Sequence, residues 1–209
     1  GPGVEIDVES VFLGTSYGGY EILPALVSRD SVVYSVGIGE DISFDLGLIA
    51  RFGVTVHAFD PTPKSIEWLR SQALPPKLVV HEYGIAAQDG RLTFYRPENP
   101  AYVSLSVVER VTPTGAVSLP VRELKGIMRE LGHSSIDLLK MDIEGSEYAV
   151  LDDLVARAIP IRQLLVEFHH RFPGIGDDKT KAAIDLLEGS RYSLFAVSSS
   201  ADDYSFLKI

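Results

Sequence analysis

Short apolar runs alternate with amphipathic stretches along most of this chain, and that alternation sets its expected architecture. Apolar and β-branched residues fill 32–36, Ile42, Leu46 and Ile49 then recur at helical spacing, and a second apolar run covers 54–59. Thr62 and Pro63 open a further helix with Ile66 and Leu69 turned inward, since a proline in the first turn lacks only an N–H that would have no partner. Leu78 to Val80 is a third strand. Val121, Leu124, Ile127, Met128 and Leu131 restore the helical period, and Gly132 closes it. Residues 136–141 form an apolar strand interrupted by Lys140, residues 147–158 a helix burying Val150, Leu151, Leu154 and Val155, and residues 161–168 another strand. A helix over 177–188 and two strand-like segments, "RYSLFAV" and "YSFLKI", on either side of the polar turn "SSSADD" complete the pattern. Strands alternating with helices in this way predict an α/β fold.

Two regions depart from the alternation. Residues 4–16 are apolar and acidic by turns, and Ile22, Leu23, Leu26 and Val27 then have the spacing of a short helix covering one sheet edge. Between them "SYGGYEI" is a flexible turn carrying two phenols, a loop able to fold over a cofactor mouth or simply to connect. Residues 88–90 signal a turn, Leu92 and Phe94 alternate as in a strand, and the proline-containing stretch that follows suits short extended pieces at 103–108 and 116–119. Residues 97–120 are therefore expected as an insertion over the cofactor and substrate face within one domain spanning 1–209, with 1–3 an expression scar.

Composition narrows the function. The chain of 209 residues is large enough for one α/β core without covalent staples. It has 0 Cys, which removes disulfides, thiolate metal sites and thiol nucleophiles. A formal net charge of -10 disfavours a nonspecific nucleic-acid surface. No apolar run approaches a membrane span and no basic-then-apolar signal opens the chain, so the expectation is a cytoplasmic protein with neither nucleic-acid nor membrane partners.

The chemistry gathers around "SVVYSVGIGEDISFDLGLIARFGVTVHAFDP". A strand ending in Gly37 and Gly39, a helix start, and an acidic residue, Asp60, at the tip of the next strand describe a nucleoside site at the carboxyl ends of parallel strands. The dinucleotide fingerprint needs a third glycine, whereas this turn continues into Asp41 and Ile42. A pyrophosphate there would face Glu40 and Asp41 with no nearby Arg or Lys, which favours a cofactor with a nucleoside but no phosphate.

"VVYSVGIGEDISFD", "VHAFDPTPKSIEWL" and "IDLLKMDIEGSEYAVLDDL" resemble the FkbM-type S-adenosylmethionine-dependent methyltransferases, over most of residues 17–170. The resemblance implies a class I methyltransferase, Rossmann-like fold: a mostly parallel seven-stranded sheet with one antiparallel strand near the C-terminus and helices on both faces. It implies S-adenosyl-L-methionine as cofactor, its methionine part at Gly37 and Gly39, its ribose at Asp60 and its adenine beside Gly84, Ile85 and Ala86. With Tyr17, Asp41, Pro61 and Asp142 these form the candidate cofactor set. The implied activity is O-methyl transfer to a small hydroxylated metabolite. The alternatives are a non-catalytic module binding S-adenosylmethionine or a nucleoside, and an NAD-dependent oxidoreductase.

The sulfonium donor is already activated, so the protein must align the acceptor hydroxyl and remove its proton. His169, at a strand tip and titrating near neutrality, is the leading base candidate, with Glu144 or Glu167 orienting it or replacing it. Asp142, Glu167 and His169 also compose an oxygen, oxygen, nitrogen set compatible with a divalent cation, although the ranking favours no metal. Lys140, an ammonium in an apolar strand, predicts a snorkelling stem or a carboxylate partner, with pairing favoured over a catalytic role.

Overall fold

The computed structural model describes residues 3–95 and 115–209. A short antiparallel pair, β1 (Val11–Leu13) and β2 (Tyr20–Ile22), precedes β3 (Val33–Val36), α1 (Ser43–Phe52), β4 (Val56–Phe59), α2 (Pro63–Arg70) and β5 (Leu78–His81). Next come β6 (Gly84–Ala86), β7 (Gly90–Tyr95), β8 (Ala116–Glu123), α3 (Leu124–Leu131) and β9 (Ile136–Met141). The chain closes through α4 (Glu147–Ala156), β10 (Ile161–Glu167), α5 (Asp177–Gly189), β11 (Tyr192–Val197) and β12 (Asp203–Lys208).

The seven-stranded sheet runs β11-β12-β10-β9-β3-β4-β5. Five neighbouring strands, β10 to β5 in that order, are parallel, and β12 pairs antiparallel with both β10 and β11. This is the Rossmann-like sheet the resemblance implies. Strands covered on both faces read as continuous apolar runs, and alternate residues serve opposite layers. Tyr34, Val36, Leu139, Met141, Leu164 and Val166 join α3, α4 and α5 in one core. Val33, Val56, Ala58, Leu138 and Leu165 join α1, α2 and the N-terminal segment in the other. The chain leaves β3 toward β4 on one side while β9 and β10 lie on the other, so the crevice at the carboxyl ends of β3 and β9 is the topological switch point.

Three expectations change. Ile22 ends β2, and Pro24–Leu26 is a single 3-10 turn, so no N-terminal helix forms. The apolar spacing is met instead by long-range pairing: Gln163 of β10 accepts from the Leu23 N–H at 2.8 Å and donates to its carbonyl at 3.1 Å. Val121 belongs to β8, opposite Gly84 and Gly90, rather than to α3. Gly84 to Ala86 is likewise a strand, parallel to β8, in a small sheet ordered β6-β8-β7. Of the expected insertion, the pieces at 103–108 lie outside the described residues, and Ala116 to Pro120 begin β8.

Candidate active site

The strand register brings the three key tips together. The Asp142 N–H donates to the Val36 carbonyl at 3.0 Å, the Gly37 N–H to the Phe59 carbonyl at 2.9 Å, and the Asp60 N–H to the His81 carbonyl at 3.1 Å. Gly37 has a φ of +83, and a Cβ built on it would stand 1.7 Å from the Asp142 carbonyl oxygen. Only glycine permits that approach.

Asp60, 4% exposed, braces this turn. Its Oδ2 accepts from the Ile38 N–H at 2.8 Å and the Gly39 N–H at 3.2 Å, and its Oδ1 from the Thr62 N–H at 2.8 Å. Asp41 has a similar double duty. Its carboxylate accepts from the Thr15 hydroxyl at 2.7 Å and the Ser43 N–H at 2.8 Å, tying the N-terminal loop to the start of α1. Burial works against its charge, but the Ser43 and Thr15 hydrogen bonds hold its pKa below the ordinary value.

A cavity of about 550 Å³ opens here, within the range of small-molecule sites. Tyr17, Gly37, Gly39, Asp41, Asp60, Pro61, Gly84, Ile85, Asp142, Glu144 and Glu167 all line it. Ala86 and His169 are absent from its wall. Tyr17 stands at the mouth, 90% exposed, and Gly18 and Tyr20 continue the wall, so the "SYGGY" loop borders the opening. Glu40, Asp41, Asp60, Asp142, Glu144 and Glu167 make the lining acidic, and Lys140 is its one basic residue among those described.

Lys140, 7% exposed, is paired with a carbonyl rather than with a carboxylate. Its ammonium donates to the Gly37 carbonyl and lies 5.7 Å from the centre of the Tyr20 ring. Electrostatically it still lowers the cost of Asp45, whose pKa burial raises.

Behind the cavity wall, His169 is 8% exposed. Its Nδ1 is 3.1 Å from Glu147 Oε1, which also accepts the His169 backbone N–H at 3.0 Å, and Glu147 Oε2 accepts the Gly145 N–H at 2.9 Å. Its Nε2 lies 3.5 Å from Asp142 Oδ1, 3.5 Å from Glu144 Oε2 and 4.0 Å from Glu167 Oε2. Burial opposes the imidazolium, but the Glu147 hydrogen bond and the charges of Glu147, Glu144 and Asp142 push its pKa up to about 10. Burial and then Asp142 raise the Glu167 pKa, so that carboxyl tends to keep its proton. The leading base candidate thus stands one layer behind the cavity, in an environment that favours its charged form.

Glu147, 0% exposed, is the member of this cluster that the sequence reading passed over. Its signal was a carboxylate in the first turn of α4, directly after "DIEGS" and beside apolar positions. Glu144 adds a second special feature, a φ of 52 in the left-handed region, which costs a non-glycine residue about 1–3 kcal/mol and is characteristic of functional loops.

Residues 42–194 match the methyltransferase FkbM domain. The chain belongs to the FkbM methyltransferase family. Relatives include "Probable methyltransferase-like protein 24" of Rattus norvegicus, 32% identical over 145 residues, covering 68% of this chain and 34% of that protein. The chain therefore spans about one third of the length of that mammalian relative. "31-O-demethyl-FK506 methyltransferase FkbM" of Streptomyces tacrolimicus is 28% identical over 196 residues, covering 79% and 74% of the two chains. "2-O-methyltransferase NoeI" of Sinorhizobium fredii is 24% identical over 186 residues, covering 80% and 75%. The acidic turn is unsuited to a pyrophosphate, which weighs against the NAD-dependent alternative. No helix among the described residues is long and apolar enough to cross a membrane.

Proposed function

We propose that this chain is an S-adenosylmethionine-dependent O-methyltransferase acting on a small hydroxylated metabolite. The observation that carries the reading is the convergence of the Gly37–Gly39 turn, Asp60 and the Asp142–Glu144 loop on one cavity. In this reading the methionine part sits at the glycine turn, the ribose at Asp60 and Pro61, and the adenine beside Gly84 and Ile85. Asp60 Oδ1 accepts one backbone bond and keeps lone-pair capacity for a ribose hydroxyl. The positive sulfonium suits a wall rich in carboxylates, as a pyrophosphate does not.

The acceptor oxygen attacks the methyl carbon as the carbon–sulfur bond breaks, the sulfonium becomes a neutral thioether, and the hydroxyl proton passes to a carboxylate at the wall. Glu144 fits that task, because it lines the cavity, whereas His169 lies behind it and acts as a positioning group. The same acidic wall favours neutral or cationic acceptors over phosphorylated ones. Two relatives carry names for O-methyl transfer, which supports the choice of oxygen as acceptor. Calorimetric titration with S-adenosylhomocysteine tests the cofactor, and a folded sample that takes up none at millimolar ligand ends the proposal. A methyl-transfer screen of neutral polyols against their phosphate esters tests the acceptor class, with turnover expected on the neutral set.

A further inference from the structure

We propose that Asp142, Glu144 and His169 form a binding site for one divalent transition-metal cation of the Mn²⁺ or Fe²⁺ type. The site deepens the methyltransferase reading and rests on it for its use, but its existence is argued from geometry alone. One donor atom from each residue lies within 4.8 Å of the others. The Nε2 to carboxylate separations of 3.5 Å compare with about 3.0–3.5 Å between neighbouring ligands around a metal with bonds of about 2.1 Å.

The orientation of the imidazole is built in. Glu147, wholly buried, holds Nδ1 and leaves Nε2 directed at Asp142 and Glu144, the carboxylate–histidine–metal arrangement that fixes a ring for ligation. A proton on Nε2 is the competing occupant of this space. Asp142 Oδ1 faces Nε2 at 3.5 Å without a close hydrogen bond to it, and the same carboxylate is shared with Glu167. A divalent cation bonded to Nε2 and to the carboxylates would offset the negative charge that Asp142, Glu144 and Glu167 crowd together here. The donor set of one imidazole and two carboxylates suits Mn²⁺ or Fe²⁺, and a chain with 0 Cys offers no thiolate to favour softer binding. Asp142 and Glu144 line the cavity while His169 closes the back, so the open coordination positions face the acceptor space. There a cation would lower the pKa of an acceptor hydroxyl and orient it, Glu144 would serve as ligand instead of base, and the hydroxyl proton would leave to solvent through the open mouth of the cavity.

The test is titration of the folded protein with Mn²⁺ alone, followed by the loss of the free-ion electron paramagnetic resonance signal. Wild type and the exposed-surface variant Glu67→Gln are expected to bind one Mn²⁺ per chain with the same affinity. Asp142→Asn and His169→Gln are expected to abolish that site, and Glu147→Gln to weaken it about 10–100-fold through the misdirected ring. Circular dichroism melts certify folding, and Asp142→Asn decides the matter if His169→Gln does not fold. No saturable binding by folded wild type, or equal binding by Asp142→Asn, overturns the proposal. S-adenosylhomocysteine titration of the same samples separates the two readings: cofactor uptake without Mn²⁺ uptake sinks the metal site alone, and the reverse sinks the methyltransferase reading alone.

Discussion

Replacing Asp60 by Ala should destabilise the whole protein as well as weaken cofactor binding, because its carboxylate already works in the fold. Three backbone N–H groups, those of Ile38, Gly39 and Thr62, donate to it at 2.8, 3.2 and 2.8 Å. A hydrogen bond to a charged group contributes about 1.5–3 kcal/mol, but only the Ile38 bond is fully buried, and water can replace the carboxylate at the other two. The expected loss is therefore about 3 kcal/mol, a large share of the roughly 5–15 kcal/mol typical of a domain. For a chain of this size that lowers the melting temperature by about 6–12 °C. Asp60→Asn keeps one oxygen and should lose about 1 kcal/mol, since one face of the brace survives. Urea denaturation and S-adenosylhomocysteine titration on both variants check the reasoning. An Asp60→Ala protein with the wild-type urea midpoint would refute it, and reduced affinity at unchanged stability would show a carboxylate serving the cofactor alone.

Gly37→Ala should be far worse than Gly39→Ala, since the first Cβ meets the Asp142 carbonyl at 1.7 Å while the second meets nothing within 4 Å. Gly39→Ala should cost only the left-handed backbone term of about 1–2 kcal/mol, and equal urea midpoints for the two variants would contradict the close-approach argument. Acidification should remove stability through a cluster in which His57 Nδ1 lies 3.0 Å from His81 Nε2, with Tyr34, His133, Tyr83, Arg122 and Glu130 around it. Burial, then the charges of His81 and His133, lowers the His57 pKa to about 4, and burial lowers those of His81 and His133. A histidine held neutral in the fold takes up its proton first in the unfolded chain, so this contribution is whole above about pH 6.5 and declines as pH falls toward about 4. After allowance for solvent screening at these half-buried rings, the wild type should lose about 1–2 kcal/mol more between pH 7 and pH 5 than His57→Asn does; parallel urea midpoints would exclude the cluster. Tyr34→Phe, which removes a 2.6 Å hydrogen bond to His133 Nδ1 from a fully buried ring, should cost about 1 kcal/mol by the same assay, and an unchanged midpoint would show that bond to be inert.

The strands and helices from Val33 to Phe59 and from Ile136 to Lys208 were legible because their apolar periods are local and their cores simple. The Gly37 turn and the acid at 60 were likewise expected at one strand-tip crevice, and both line the cavity. What the chain could not disclose was the state of each polar group. Leu23 reads as a helical apolar position, yet it is placed by Gln163, 140 residues away. Lys140 suggested a snorkelling stem or a carboxylate partner and found a carbonyl and a ring. His169 looked like a strand-tip base, but its place behind Asp142 and Glu144 depends on Glu147, whose complete burial is a tertiary fact. Periodicity reports which face a residue takes, and it carries no information about which partner waits there.

The placement of β12 between β10 and β11 has a consequence for biosynthesis. Residues 203–208 supply the neighbour for the outer edge of β10 and for the inner edge of β11, two strands made earlier on the ribosome. While those residues are still inside the exit tunnel, β10 presents Leu164 to Val166 along an unpaired edge, with β11 unable to reach it. At about 5–20 residues per second, a vectorially emerging chain keeps that adhesive edge open until the last strand arrives. The sheet is completed by insertion rather than by extension, so an arrest or a stop codon before Asp203 should yield a chain whose parallel core has formed but whose edge is ready to pair with another copy.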